Sequence, residues 1–158
     1  MGKFGRALLI AAIIGVWLVI ALALLAPGNR GAKRVHCIVN EKQLAAALLL
    51  YGEANNERFP ESGKWMDSIE PLLKMPDALQ CPALSEGFGY AFTESLGTKA
   101  LKEVNNPQDK MMLFDSTNLS RNAQDDAASL PNPGRHDERN NVAFADGHAK
   151  SIRNPSTR

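Results

Sequence analysis

Three polar side chains near the C-terminus, His136, Asp146 and His148, have the types and spacing that transition-metal sites require. Two imidazoles and a carboxylate are ligands of Zn²⁺, and Asp115 is available as a fourth. Asp146 and His148 are two residues apart, so a regular strand places them on one face. If the segment before them folds back over this strand, His136 approaches Asp146, and a metal-binding protein or metal-dependent hydrolase becomes one candidate function.

A structural role explains the same residues without a metal. Asp146-Gly147 is a frequent two-residue turn, in which glycine supplies the positive φ of the second position. His136 would then hydrogen-bond the hairpin backbone and hold the preceding segment in place. We favour this interpretation, so His136, Asp146, Gly147 and His148 are predicted to be a structural motif, and no cofactor is expected.

Other functional classes have little support in the sequence. No serine or cysteine stands in a nucleophile motif, and no glycine-rich phosphate loop occurs. The 18 Lys and Arg residues nearly balance the 17 Asp and Glu residues, whereas nucleic-acid-binding domains usually carry a basic patch. We therefore expect neither catalysis nor nucleic-acid binding.

The two cysteines, Cys37 and Cys81, allow two interpretations. An even number of cysteines in a domain outside the cytoplasm suggests a disulfide. Such a bond would close a loop of about 44 residues and stabilise the fold by on the order of 4 kcal/mol. Two buried free thiols are the alternative.

These residues must be positioned by a long helix followed by short strands. Cys37, Leu44, Leu48 and Tyr51 recur at helical spacing and predict a helix over residues 33–55, with its charged side chains mostly on other faces. The strands and turns that follow predict an α+β fold, in which this helix packs on a small antiparallel sheet.

Shorter elements follow the long helix. A helix is predicted over residues 65–74, with Pro71 opening a second turn. Strands are predicted over residues 89–92 and 110–115. Residues 116–135 are polar and rich in turn formers, which indicates a long surface loop.

The last predicted element is a β-hairpin, the clearest local signal in the chain. Residues 141–145 and 148–152 form its two strands, and Asp146-Gly147 forms a type I′ turn between them.

The N-terminal part of the chain is apolar and uncharged over residues 7–26. A helix of that length measures about 30 Å, which is the hydrocarbon thickness of a bilayer. We therefore predict a transmembrane anchor within residues 1–29 and one further domain over residues 30–158. A cleavable signal peptide is the alternative, because basic residues precede the run and Ala21-Leu22-Ala23 resembles a cleavage site.

Part of the predicted helix resembles the start of the pseudopilin-like proteins of planctomycetes and related bacteria. The resemblance covers the run from Cys37 to Leu44, then Tyr51, and then the run from Asn55 to Pro60. Cys81-Pro82 matches the Cys-Pro of their mid-domain.

The C-terminal motif carries a more specific resemblance. Nine residues separate His136 from Asp146-Gly147, which is similar to the spacing of the H-x9-DG processing-associated domain of those proteins. The run from Asn141 to His148 matches that domain nearly residue for residue. The resemblance extends over residues 37–152.

The resemblance implies a pilin-like fold and an extracytoplasmic domain of the type II secretion or type IV pilus kind. The protein would be single-pass in the inner (cytoplasmic) membrane, with membrane lipid around residues 7–26. Its protein partners would be pseudopilins or other secretion-system proteins. Major pseudopilins also hold calcium in a C-terminal loop, where Asp125 and Asp126 would supply oxygens here, although their spacing matches no defined calcium motif.

The N-terminal segment departs from that of prepilins. A prepilin carries Gly followed by Phe or Met at its cleavage site and a Glu at the fifth mature position. Here the first acidic residue is Glu41, and neither Gly2 nor Gly5 has an acidic residue at that offset. We therefore expect a stationary anchor, without prepilin-type processing or self-assembly into a filament.

Overall fold

The computed structural model describes residues 2–24 and 30–153. The helices are α1 (Lys3–Leu24), α2 (Arg30–Ala54) and α3 (Trp65–Ile69). The strands are β1 (Tyr90–Thr93), β2 (Met111–Asp115), β3 (Gln124–Asp125), β4 (Arg139–Phe144) and β5 (Ala149–Arg153). The predicted α+β class is confirmed.

The five strands form one sheet in the order β3-β1-β2-β4-β5. Three neighbouring pairs are antiparallel, but β1 and β3 are parallel, so the sheet is mixed and the prediction of an antiparallel sheet is wrong. The chain reverses between β1 and β2, reverses again after β2, and then reaches the far side of β1. Strand β3 therefore runs parallel to β1. Its two residues are polar and carry no strand pattern.

The segment predicted as a long surface loop, residues 116–135, packs partly on the sheet. It supplies β3 and a 3₁₀ turn over Ala127–Ser129. Its side chains Ala123 and Leu130 are buried against Phe114 and Val142 on one face of the sheet. Its few apolar residues thus cover that face, while its polar residues remain outside.

Helix α2 covers the other face and runs parallel to β4. The Asn141 side-chain amide donates to the Arg34 carbonyl at 3.4 Å near the start of both elements. A Cβ at Gly147, beyond the end of β4, would lie 3.2 Å from Leu49 Cδ1. The fifteen helical residues between these contacts rise about 22 Å, and six strand residues rise about 20 Å, so the two elements match in length.

The shorter predicted helix is interrupted near its middle. Helix α3 ends at Ile69, and a 3₁₀ turn over Glu70–Leu72 follows with Pro71 at its start. The prediction that Pro71 opens a second turn is confirmed, because proline cannot donate the hydrogen bond that would continue an α-helix.

The turn of the final hairpin differs from the type I′ turn that we predicted. Gly147 N–H donates to the Phe144 carbonyl and Phe144 N–H donates to the His148 carbonyl, each at 2.8 Å. Gly147 has a φ of 91°, but Asp146 has no positive φ, as type I′ would require. The three-residue loop fits a type I turn followed by a glycine bulge.

Type I′ geometry occurs instead at the other end of β4. Asp137 and Glu138 have φ values of 55° and 63°. The flanking residues close the turn, since His136 N–H donates to the Arg139 carbonyl at 2.8 Å and Arg139 N–H donates back at 3.3 Å. Two non-glycine residues in the left-handed region gave no recognisable turn signal in the sequence.

Within residues 2–24 and 30–153, no helix combines the length and apolar character needed to cross a membrane. The predicted span over residues 7–26 extends into residues 25–29, which lie outside the described residues, as does the predicted domain boundary after residue 29.

Candidate functional site

Four ionisable side chains meet between α2 and the sheet, and we refer to them as the buried polar cluster. Glu41 comes from α2, Asp115 from the end of β2, and Arg135 and His136 from the segment before β4. Glu41 and Asp115 are fully buried, and His136 is 3% exposed. Buried charges require partners, so the contacts of each member determine what the cluster does.

Asp115 is the centre of the cluster. Its Oδ1 accepts a hydrogen bond from Arg135 Nη1 at 3.1 Å, and its Oδ2 accepts from Asn141 N–H at 2.7 Å. Asp115 Oδ2 also lies 3.3 Å from His136 Nε2. Both carboxylate oxygens therefore have partners, which compensates for the burial of the charge.

Arg135 ties the cluster to the strands around it. Its guanidinium donates to the Gly89 carbonyl at 2.6 Å and to the Ser116 carbonyl. Gly89 has a φ of 81°, and a Cβ there would clash with Leu84 Cδ1 and lie 2.9 Å from Arg135 Nη1. Only glycine leaves room for this approach of the guanidinium to the backbone.

His136 lies between Asp115 and the two cysteines. Its Nε2 is 3.8 Å from Cys81 Sγ. Cys81 and Cys37 lie at disulfide distance, with their Cα atoms 5.5 Å apart. The disulfide, rather than two free thiols, is the pairing that the structure contains.

Glu41 is the member without a hydrogen bond. Neither of its carboxylate oxygens has a partner among the described residues. Burial, and then the nearby charge of Asp115, raise the pKa of Glu41 well above its ordinary value, although Arg135 partly opposes this. The environment therefore favours the neutral, protonated carboxyl.

Asp146 and His148 form a separate, exposed pair in the hairpin. Asp146 Oδ1 accepts from His148 N–H at 3.0 Å and lies 2.6 Å from His148 Nδ1. Partial burial alone would raise the pKa of Asp146, but these two hydrogen bonds from His148 lower it below its ordinary value. The His148 ring also stacks on Phe144, with centroids 4.4 Å apart. These contacts stabilise the turn.

The structure does not bring His136 together with Asp146 and His148. His136 is hydrogen-bonded to Arg139, where β4 begins, and Asp146 comes two residues after Phe144, where β4 ends. The six residues of β4 span about 20 Å, far beyond the reach of one metal ion. Asp115, the fourth ligand considered from the sequence, contacts His136 at the start of β4.

The two candidate calcium ligands are also separate from the cluster. Asp125 belongs to β3, and Asp126 Oδ1 accepts from Ala128 N–H at 2.8 Å, which caps the 3₁₀ turn. In the part of the chain that the structure describes, the one compact group of three metal-ligating side chains is Cys37, Cys81 and His136.

Sequence reasoning missed Glu41 and Arg135. We expected charged side chains of α2 to lie mostly outside its apolar face, yet Glu41 follows Cys37 by four residues and precedes Leu44 by three. These intervals place it on that face, so an acidic residue inside an apolar stripe was the available signal. Arg135 adjoins His136 in the motif, but no local pattern indicates that it pairs with Asp115.

Comparisons with known proteins return no match: no family model, no curated protein and no solved structure matches this chain. The similarity to H-x9-DG proteins therefore rests on the motif residues themselves. In this fold the nine residues between His136 and Asp146 contain the whole of β4 and part of the turn at each end. The motif spacing is thus the length of one strand with its turns.

Proposed function

We propose that this protein is a single-pass membrane protein whose pseudopilin-like domain lies outside the cytoplasm and acts through protein contacts beside a type II secretion or type IV pilus-like system. The observation that carries the proposal is the helix α2, which begins four residues after the apolar run of the sequence ends and lies along the full length of β4. This is the arrangement that the resemblance to pseudopilin-like proteins implies.

The apolar run supports attachment to lipid. Large side chains of α1 are exposed, among them Ile14 at 61%, Trp17 at 67% and Leu22 at 62%. Water would make such exposure costly, at about 25 cal/mol per Å² of apolar surface, whereas lipid would not. The sequence continues the run through residues 25 and 26.

The buried polar cluster supports a structural rather than a catalytic role for the H-x9-DG residues. Arg135 and His136 are held against Asp115 beneath α2, and Asp146 and His148 hold a turn. The cluster thereby fixes the start of β4, and the separate Asp146–His148 pair fixes the turn after its end. The Cys37–Cys81 pair suits an oxidising compartment, which supports an extracytoplasmic location.

An exposed apolar surface beside α2 supports the role in protein contacts. A groove of about 470 Å³ runs between α2 and the turn after α3, and Leu50, Leu72, Leu73 and Met75 line it. Leu50 and Met75 are more than half exposed. Apolar side chains grouped in this way are typical of protein-binding surfaces.

Topology tests the anchor and the location together. A reporter enzyme that folds only outside the cytoplasm, fused after residue 158, should be active and should stay in the membrane after alkaline carbonate extraction. The same reporter fused before residue 1 is the matched control and should be inactive. An inactive C-terminal fusion, or release by carbonate, would contradict the proposal. Sequencing of the native N-terminus would show whether residues 1–29 are retained.

Photo-crosslinking tests the protein contact. A photoreactive amino acid at Leu50 should give a discrete crosslinked product in native cells. The matched control is the exposed Glu103, outside the groove, which should give none. Equal products from both positions, or no product from Leu50, would contradict an interaction through this surface.

A further inference from the structure

Cys37, Cys81 and His136 place two sulfur donors and one nitrogen donor around a common point. Cys37 Sγ, Cys81 Sγ and a ring nitrogen of His136 all lie within 4.8 Å of one another, and all three residues are buried. The 3.8 Å between Cys81 Sγ and His136 Nε2 is close to the roughly 3.6 Å that a sulfur and a nitrogen ligand span across tetrahedral zinc.

We propose that, when the two cysteines are reduced, Cys37, Cys81 and His136 form a three-ligand Zn²⁺ site. Thiolates and imidazole are the donors that select zinc over the hard cations calcium and magnesium. This site shares only His136 with the metal site considered from the sequence, and it does not depend on the membrane location proposed above.

Glu41 is a further buried polar group on the helix that carries Cys37. Its carboxylate is fully buried, has no hydrogen-bond partner among the described residues, and lies on the same face of α2 as Cys37, four residues earlier. Because its environment favours the neutral carboxyl, it leaves no unpaired negative charge beside the three ligands.

Metal binding changes one contact of His136. Its Nε2 faces Asp115 Oδ2 at 3.3 Å, and a metal bond to Nε2 would replace that contact. Asp115 would keep Arg135 and the Asn141 N–H as partners, so no buried charge would be left alone. The exchange therefore leaves the centre of the buried polar cluster intact.

The redox and proton changes balance. Reduction of the disulfide to two thiols takes up two electrons and two protons, which a dithiol supplies as it becomes a disulfide itself. Zinc then displaces the two thiol protons to solvent, and the sulfur atoms separate to about 3.8 Å, the spacing of two thiolates around zinc. Disulfide and metal use the same sulfur atoms, so each state excludes the other.

Two cavities lead towards the site. One of about 410 Å³ is lined by His36, Asn40 and Cys81, among others, and one of about 200 Å³ is lined by Lys33 and His136, among others. Cys81 and His136 therefore each border a cavity, through which a reductant or a metal ion would approach.

The test uses the full chain in detergent, reduced with a trialkylphosphine under nitrogen, and zinc alone as the probe. Titration against a chromophoric chelator should show one equivalent of tightly bound zinc, and none in the oxidised chain. Co²⁺ in place of zinc should give thiolate-to-cobalt charge-transfer absorption in the near ultraviolet. This spectrum reports on the ligands without any substitution.

Variants separate this site from other sources of binding. His136→Gln should weaken zinc binding at least about tenfold, as loss of a ligand or of its support does. His148→Gln is the matched control and should bind like the wild type. The proposal is overturned if the reduced wild type binds no zinc, if both variants bind alike, or if reduction unfolds the chain and zinc does not restore it.

Discussion

Asn141 joins α2 to the buried polar cluster: its side-chain amide donates to the Arg34 carbonyl at 3.4 Å, and its N–H donates to Asp115 Oδ2 at 2.7 Å. One residue of β4 therefore contacts the first turns of the helix and the end of the neighbouring strand. The register of α2 on the sheet and the position of the Asp115 carboxylate are consequently coupled.

This coupling predicts a large cost for neutralising Asp115. Asp115→Asn would leave the buried guanidinium of Arg135 without its counter-charge, and breaking a buried pair in this way costs about 3–5 kcal/mol. Urea denaturation of the full chain in detergent measures the loss, with Trp65 fluorescence followed in a Trp17→Phe background. The exposed Asp109→Asn should stay within about 0.5 kcal/mol of its parent. Equal effects of the two variants would contradict the assigned role of the ion pair.

Stability should depend on pH through Glu41. Burial raises its folded-state pKa above the ordinary 4.5, so the folded chain holds this proton more tightly than the unfolded chain does. The contribution to the free energy of unfolding is full below pH 4.5 and is lost as the pH rises towards the raised pKa, by at most about 1.4 kcal/mol per pH unit. Glutamine mimics the neutral carboxyl and does not titrate.

Glu41→Gln should therefore gain stability relative to the wild type as the pH rises above 4.5. Denaturation at several pH values between acid and neutral measures the difference between the two proteins. Glu53→Gln, at an exposed position on the same helix, is the control and should show no such trend. A constant difference between Glu41→Gln and the wild type would show that the carboxyl does not bind its proton more tightly in the fold.

Loss of the disulfide should be costly because it closes a long loop. The sequence separation of 44 residues between Cys37 and Cys81 corresponds to about 4 kcal/mol in chain entropy. The double variant Cys37→Ser, Cys81→Ser should lose on this order in denaturation, measured without metal. Intact mass of the native protein should rise by two hydrogens on reduction, and an unchanged mass would show that the bond is not formed.

The left-handed glycine of the final hairpin should resist replacement. Gly147 has a φ of 91°, where an L side chain costs roughly 1–2 kcal/mol. Gly147→Ala should lose about that much stability. Gly63→Ala is the control, since its Cβ would meet nothing closer than 3.9 Å. If both alanine variants denature alike, the turn does not constrain the hairpin in the way described.

Local patterns predicted the helices and the strands of the sheet better than they predicted the turns. The spacing of Cys37, Leu44 and Leu48 fixes the buried face of α2, because periodic burial is a local property of a helix. The parallel pairing of β3 depends on where a polar segment crosses the sheet, and two residues carry no periodicity. The type of the hairpin turn depends on hydrogen bonds that Asp146-Gly147 alone does not determine.

The candidate site was less predictable than the fold. His136 was singled out from its motif, but its neighbours Cys37, Cys81 and Asp115 come from three other parts of the chain. Their convergence is a tertiary property, set by the packing of α2 on the sheet. Asp146 and His148 were expected to act together, and they do form a pair, because they are two residues apart in one turn.

The place of the disulfide within α2 determines how the domain responds to force. Cys37 lies seven residues after the start of α2 at Arg30, which is about 10 Å along the helix. Tension entering from the N-terminal segment therefore passes at Cys37 through a covalent bond to Cys81, ahead of β1. The rest of α2 carries little of this load, so its packing along β4 is protected from shear. Reduction would move the same load onto noncovalent contacts and make the domain mechanically weaker.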